Sequence, residues 1–344
     1  MAFYPISVVL PTHNRAHLFP RAIDSVLSQL ENGDELIVVD DGSTDNTHSV
    51  ISNYGSRIRY IKTPGVGAGA ARNIGIREAQ NPLLAFIDSD DEWLPGKVQI
   101  QRSFLAARPD VVFCFTNFSF KEADHLGGTY KHFNLVSWSK DHRPWEEILA
   151  PGEFISTVIS LPEGWQDFKF YVGNMYVNEL SANYINVNTL MLCRQKNGDT
   201  LYFAEDTPTY EDWEFFGRLS REGNCAYLDC ETACQHSHGG PRLTDAHITE
   251  CAQARVTIIE RVWGKDKEFL AKYYNVYKEI LDRERLILTK GLIARGHPSQ
   301  ARRHLNQIYG PVPILLKLLS YIPGKLILKI LRVRRYLKPL FNNR

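Results

Sequence analysis

Three short apolar runs near the N-terminus share one form. Ile6-Ser7-Val8-Val9-Leu10 stops at Pro11, and Leu36-Ile37-Val38-Val39 stops at Asp40-Asp41-Gly42. Leu83-Leu84-Ala85-Phe86-Ile87 stops at Asp88-Ser89-Asp90-Asp91. Between the first two runs, Phe19, Ala22, Ile23, Val26, Leu27 and Leu30 recur at helical spacing before Asn32-Gly33. After the second run, Ser43 or Asp45 can cap a helix ending near Gly55. A weaker strand over 57–62 then leads through a Gly-rich loop into a helix over 70–79. Strands that are apolar throughout, alternating with amphipathic helices, predict a parallel sheet covered on both faces. Ligands of such sheets sit beyond the carboxyl ends of the strands. Thr12, Asp40, Asp41, Asp88 and Asp90 fall there, so polar and acidic groups gather on one rim.

Residues 111–120 and 185–193 read as further strands and 211–221 as a helix, while the aromatic, Gly- and Pro-rich stretch between the two strands predicts loops shaping a pocket. From about residue 246 the pattern is helical: 246–263, 267–293 and 298–308, then a basic amphipathic tail beyond a hinge at Gly310-Pro311. The expected organisation is an α/β domain over 1–245, a helical region over 246–310 and a tail over 311–344.

Composition sharpens this picture. With 44% hydrophobic and 23% charged residues in 344, the chain reads as globular, excluding disorder, collagen and coiled coil as its main architecture. No basic-flanked apolar leader opens it, and no apolar run approaches the ~18 residues of a spanning helix. The expected location is the cytoplasm, with six cysteines kept as thiols. The net charge of +1 hides an asymmetry: residues 285–344 hold thirteen Lys/Arg and no Asp or Glu, against 27 basic and 39 acidic side chains before them.

The rim carries the chemistry. Asp88 and Asp90, one residue apart at a strand end, can face one hard cation such as Mg²⁺ or Mn²⁺ and bridge it to phosphates, or can merely cap the next turn. A carboxylate at Asp40-Asp41 can accept an N–H from a nucleobase. The loop Gly65-Val66-Gly67-Ala68-Gly69 permits close backbone approach, and Arg72 after it can pair with phosphate or form a surface ion pair.

Pro11-Thr12-His13-Asn14-Arg15, Val38-Val39-Asp40-Asp41-Gly42-Ser43-Thr44-Asp45, Gly69-Ala70-Ala71-Arg72-Asn73-x-Gly75 and Phe86-Ile87-Asp88-Ser89-Asp90-Asp91, in this order, resemble family 2 glycosyltransferases of the GT-A fold. The likeness covers residues 5–100 and resumes at Tyr210-Glu211-Asp212-Trp213 and at 236–244. It implies a Rossmann-like, mostly parallel sheet with helices on both faces, and inverting transfer of a sugar from a nucleotide-diphosphate donor, UDP-linked by default, with Mn²⁺ or Mg²⁺. It also implies that Pro11, Thr12 and Arg15 line the nucleotide pocket, that Asp41 contacts the base and that Arg72 lies near the donor. Asp88, Ser89 and Asp90 then form the D-x-D element, with Asp90 the direct metal ligand. Asp212 corresponds to the catalytic base, which takes the acceptor hydroxyl's proton; a helix N-terminus is expected to keep it ionised. Glu205-Asp206 is a second acidic pair, but Thr207-Pro208 interrupts any helix after it. His238 falls where many members have a His facing metal or diphosphate, with His236 as the alternative.

Three other readings compete. Gly65-x-Gly67-x-x-Ala70 fits a loose dinucleotide-binding fingerprint of an NAD(P)-dependent oxidoreductase, yet Thr63-Pro64 stands where a tight strand-to-helix turn is needed. Cys225, Cys230, Cys234, His236 and His238 have zinc-ligand chemistry at unusual spacings. A non-catalytic protein that only binds nucleotide sugar is the third. In the tail, aliphatic residues mixed with Lys317, Lys325, Lys329, Arg332, Arg334, Arg335 and Lys338 suit an in-plane helix at an anionic membrane rather than nucleic acid. Together these readings place the enzyme at the inner membrane face, beside a glycan or lipid-linked acceptor.

Overall fold

A computed structural model of the chain describes residues 4–121, 130–133, 141–196, 198–207, 209–237 and 247–329. The chain divides into two compact units, 1–206 with 211–240, and 207–210 with 241–344.

The first unit is built on an 11-stranded sheet. Its strands are β1 (Ile6–Thr12), β2 (Glu35–Asp40), β3 (Arg59–Lys62), β4 (Leu83–Phe86), β5 (Glu92–Trp93) and β6 (Val111–Lys121). They continue with β7 (Tyr130–Phe133), β8 (Glu153–Phe154), β9 (Lys169–Gly173), β10 (Met191–Cys193) and β11 (Asn224–His236). The order is β3-β2-β1-β4-β10-β6-β11-β9-β8, with β5 on β11 and β7 on β6. The three strong apolar runs form β1, β2 and β4, and Val8, Val9, Ile37, Val38 and Phe86 are fully buried. β1 lies parallel to β2 and β4, and β2 to β3, as continuous apolar patterning predicts. Beyond β4 the sheet turns mixed: β10 runs antiparallel to β4 and β6, while β11 is parallel to β6 and antiparallel to β9.

Between the strands stand α1 (Phe19–Leu27), α2 (Thr47–Ser52), α3 (Ala68–Glu78) and α4 (Lys97–Ala107), followed by α5 (Trp145–Ile148), α6 (Tyr176–Ser181) and α7 (Glu211–Leu219). The N-cap of α2 is Asn46, whose side chain makes no capping bond; of the two expected caps, Asp45, one residue earlier, accepts the Thr47 N–H at 3.0 Å. α3 packs on β1 and β2.

The strand expected over 185–193 is shortened to β10. Asn186 accepts the Asn188 N–H at 2.9 Å and closes a tight turn over Val187–Thr189. A short polar side chain that bonds the backbone two residues on competes with the ladder.

The second unit is helical, with α8 (Ile248–Val262), α9 (Lys267–Ala294), α10 (Pro298–Leu305) and α11 (Ile314–Leu319). Asp266 caps α9 through the Phe269 N–H at 3.0 Å. The expected hinge at Gly310 is instead a pinned turn: Asp282 accepts the N–H groups of Tyr309 at 3.0 Å and Gly310 at 2.8 Å. No helix of the described residues is long and apolar enough to cross a membrane.

Candidate active site

The ends of β1 and β2 meet in register, Thr12 opposite Asp40, and carry the first two loops of the rim. The two acids that close β2 do different things. Asp40 faces inward, accepting the Ser43 N–H at 2.8 Å and the Tyr60 hydroxyl at 2.8 Å. Asp41 accepts the Thr63 hydroxyl at 2.7 Å and the backbone N–H groups of Val66 at 2.6 Å and Gly67 at 2.8 Å. Its carboxylate therefore shapes the Gly-rich loop. Gly42 shows how closely those segments approach: at φ +77°, a Cβ there would lie 2.8 Å from the Gly65 nitrogen.

Pro11 and Thr12 occupy the last two positions of β1, and the Thr12 hydroxyl is buried without a protein partner. The Arg15 carbonyl accepts the N–H groups of Leu18 and Phe19, so Arg15 sits where the loop turns toward α1. Asn14, which sequence reasoning did not single out, ties this loop to the one after β2. Its backbone N–H donates to the Ser43 hydroxyl at 2.9 Å, and its side-chain oxygen accepts the Thr44 N–H at 2.8 Å.

At the end of β4, Asp88 and Asp90 are partly exposed while Ser89 and Asp91 are buried. Burial raises the Asp88 carboxyl above its ordinary range, opposed by Arg72. Burial, then the charges of Asp90 and Asp88, push Asp91 well above its own. Asn188 organises this turn and was missed from sequence, where only an Asn-x-Asn pair marks it. Its side-chain oxygen accepts the Asp88 N–H at 2.7 Å, and its amide donates to Asp91 at 2.7 Å. Arg21 donates to the Asp90 carbonyl.

Arg72 is the hub of the site. Its guanidinium, 6% exposed, donates to Asp88 at 2.7 Å and to Glu211 at 2.9 Å. Burial disfavours its charge, but the two carboxylates outweigh that and raise its proton affinity. The alternative of a surface ion pair is corrected on the arginine side: Arg72 is buried because α3 packs on the sheet and turns this face inward, while Asp88 stays partly exposed.

Glu211 and Asp212 open α7, as a Glu-Asp pair ahead of Trp213 predicts. Asp212 accepts the Trp213 N–H at 2.7 Å, and Asn183 approaches its other oxygen at 3.5 Å. The carboxyl is pushed up to about 7 by burial and by the charge of Glu211, with Arg72 and the Trp213 N–H opposing. The expectation that the helix N-terminus keeps Asp212 ionised is therefore corrected: desolvation and a like charge next door outweigh the helix end. A carboxylate poised near neutrality is suited to receive a proton.

His238 lies outside the described residues. His236, at the end of β11, bonds Glu92 at 3.0 Å and donates its N–H to Asp91 at 3.1 Å, so β11 places it beside the D-x-D turn. Burial and Arg21 lower its proton affinity against the pull of Glu92. Among the described residues no three His, Cys, Asp or Glu are grouped to hold a metal. Cys225, Cys230 and Cys234 are buried along β11, and burial raises their thiols, as in small apolar side chains. Glu205, of the second acidic pair, accepts an N–H of Asn73 at 2.8 Å.

The model of the family "Glycosyl transferase family 2" matches residues 7–160. An uncharacterized glycosyltransferase of Rickettsia felis is 36% identical over 124 residues, 36% of this chain and 20% of that protein. The UDP-Glc:alpha-D-GlcNAc-diphosphoundecaprenol beta-1,3-glucosyltransferase WfgD of Escherichia coli is 30% identical over 139 residues, 40% of this chain and 54% of WfgD. The matched part thus spans 20% to 54% of these curated relatives. Among solved structures, S. aureus TarS has a TM-score of 0.60 at 18% identity, covering 92% of this chain and 50% of that one. TarS 1–349 in complex with UDP-GlcNAc has a TM-score of 0.55 at 15% identity, covering 89% of each chain, which is a likeness of fold. Over residues 7–160, which carry the four rim motifs on one GT-A-like sheet, the chain is similar to glycosyl transferase family 2.

Proposed function

We propose that this protein is an inverting glycosyltransferase that moves a sugar from a nucleotide-diphosphate donor, UDP-linked, to a hydroxyl of a glycan or lipid-linked acceptor in surface polysaccharide or glycoconjugate synthesis. The observation that carries the reading is the single buried arginine between the D-x-D turn and the Glu-Asp pair: Arg72 holds Asp88 on one side and Glu211 on the other. This bridge supports a reading in which Asp88 serves the donor and the Glu211–Asp212 pair the acceptor. The likeness to WfgD, a UDP-Glc-dependent glucosyltransferase, and to TarS in complex with UDP-GlcNAc supports a uridine donor.

In this reading Pro11, Thr12 and Arg15 line the nucleotide pocket, and Asp41 fixes the loop that faces the base and contributes its remaining lone pairs. Ser89 adds a buried hydroxyl beside the sugar-diphosphate. Asp88 and Asp90 would hold a Mn²⁺ or Mg²⁺ ion, with His236 or, outside the described residues, His238 as the expected further ligand: a pair of hard oxygen donors suits a cation that completes its shell with phosphate and water rather than an all-protein cage. When bound, that ion neutralises charge on the departing diphosphate. Asp212 receives the acceptor hydroxyl's proton on a carboxylate oxygen while the hydroxyl oxygen attacks the anomeric carbon from the face opposite the leaving group. Arg72 keeps the surrounding carboxylates from repelling the donor.

We also propose that the α/β part (1–245) and the helical part (246–310) are followed by a membrane-docking tail over 311–344, and that the enzyme works in the cytoplasm at an anionic membrane surface. The test of the catalytic reading is a panel of nucleotide sugars with Mn²⁺, scored by thermal shift and then by nucleotide release with polyprenyl-diphosphate-linked sugars. A UDP-sugar is expected to stabilise the protein and be consumed. Stabilisation by nicotinamide cofactors alone would instead support the oxidoreductase, and donor binding without turnover by any acceptor the non-catalytic reading.

A further inference from the structure

The motif Gly69-Ala70-Ala71-Arg72-Asn73 reads from sequence as a ligand-facing loop and helix start. The Asn73 amide and two of the Arg72 guanidinium nitrogens are instead bonded within the protein. Asn73, 2% exposed, donates its side-chain amide to the Phe203 carbonyl at 2.9 Å and to Glu205 at 2.8 Å, and accepts the Phe203 N–H at 2.7 Å. Gly69 leaves no room for a side chain: a Cβ there would lie 2.9 Å from the Ala204 carbonyl oxygen. Arg72 holds Glu211 at 2.9 Å and lies 5.3 Å from the Phe203 ring centre. Positions 69, 72 and 73 are spaced three and four apart, so they share one face of α3. Phe203 in turn stacks on Phe215 of α7 with ring centres 4.2 Å apart.

We propose that Asn73 is a positioning residue for transfer: with Gly69 and Arg72 it clamps 203–205 and Glu211 to α3, and so fixes where Asp212 stands relative to the D-x-D turn. The inference rests on Asp212 being the base. α3 is itself seated on β1 and β2, whose ends form the nucleotide side of the rim. The clamp therefore references the acceptor-side carboxylate to the donor-side strands. Three hydrogen bonds from one amide, made across 130 residues of chain, fix both the distance and the direction of the 203–205 segment. A base displaced by about 1 Å can lose roughly 100-fold in rate.

The experiment uses the full chain with UDP, Mn²⁺ and the best donor–acceptor pair. Asn73→Ala is expected to lower kcat by roughly 100-fold with the Kd for UDP and Mn²⁺ unchanged, and to speed amide exchange across 203–215. Asn73→Asp places a carboxylate against Glu205 and should be equally poor. Adding Glu205→Gln relieves the carboxylate–carboxylate contact but leaves the Phe203 carbonyl facing an acceptor, so kcat should stay well below wild type. A wild-type kcat in Asn73→Ala, a wild-type kcat in the double variant, or a parallel loss of UDP binding overturns the proposal. If the wild type transfers no sugar at all, the glycosyltransferase reading fails separately. Exchange across 203–215 then still decides the clamp, with protection unchanged in Asn73→Ala counting against it and faster exchange supporting it.

Discussion

Asn188 donates its side-chain amide to the buried carboxylate of Asp91 at 2.7 Å while its oxygen accepts the Asp88 N–H at 2.7 Å. One side chain thereby braces both ends of the D-x-D turn. Asn188→Ala removes a donor from a carboxylate that burial already pushes well above its ordinary range. Leaving a buried group unsatisfied costs about 1–3 kcal/mol, more when it is charged. The expected result is a destabilisation of that order by chemical denaturation, with weaker Mn²⁺-assisted UDP binding by calorimetry. Asn188→Asp, which sets a second carboxylate against Asp91, should be worse on both counts. Wild-type cation-assisted binding in either variant would show that the turn holds itself.

The Glu211–Asp212 pair makes a prediction about pH. Asp212 is raised to about 7 by burial and then by Glu211, so in its proposed role as base it becomes ionised only as pH rises through that value. The rate at low substrate should climb with pH across the same range. Glu211→Gln removes the like charge and should move the climb to lower pH. Asp212→Asn should keep UDP binding and lose transfer by about 10²–10⁴-fold. The same shift has a sign for stability. A carboxyl whose folded value lies above its unfolded 3.8 favours the folded state fully at low pH and loses that contribution as pH rises toward 7. Denaturation profiles of wild type and Asp212→Asn should therefore differ in slope between those two values.

Lys97 makes the opposite case. It is fully buried, donates to Gln101 at 2.5 Å and lies 4.9 Å from the Trp93 ring centre. Burial lowers its proton affinity from 10.5 to about 7. Between those values the unfolded chain binds the proton and the folded chain does not, so stability should rise with pH across that window. Lys97→Met, of similar volume, should flatten the rise. Its cost is about 1 kcal/mol for the donor lost to Gln101. A profile unchanged by the substitution would mean that Lys97 stays charged in the fold.

The parts of this molecule that were legible from sequence are those set by one-dimensional patterning. The apolar runs ending at Pro11, Asp40 and Asp88 name three adjacent parallel strands and the acidic rim at their ends, because a strand buried on both faces has little choice of residue. The Glu-Asp pair before Trp213 marks a helix start. What stayed hidden depends on partners distant in sequence. Asp41, which reads as a ligand contact, also ties down the 63–67 loop, and Arg72, which reads as a phosphate clamp, also holds Asp88 and Glu211. A carboxylate or guanidinium that suits a ligand suits a backbone amide or another side chain equally well, and only the packing of α3 decides between them. Asn188 was illegible for the same reason, since its partners sit about 100 residues away.

The second unit sets up the last prediction. Along α11, Ile314 is 75% exposed, Leu315 65% and Leu318 62%, followed by Tyr321 at 69%. Nearby, Ser320 and Ile327 are buried, Arg302 donates to the Ser320 carbonyl at 2.6 Å, and its guanidinium lies 4.0 Å from the Tyr321 ring centre. The segment is thus seated on α10 by one side while its aliphatic side chains point to solvent. An exposed aliphatic row is costly in water unless something covers it. From residue 285 onward there is no Asp or Glu to oppose thirteen Lys/Arg, so the proposed docking makes an anionic lipid surface the expected cover. In flotation with vesicles containing phosphatidylglycerol, the full chain should rise with the lipid, less so at high salt, and a chain ending at Gly310 should stay below. Replacing Ile314, Leu315 and Leu318 together by Ser should weaken flotation while leaving UDP binding intact. If the shortened chain floats as well as the full one, the surface that meets lipid lies elsewhere. If neither floats, the aliphatic row awaits a protein partner instead.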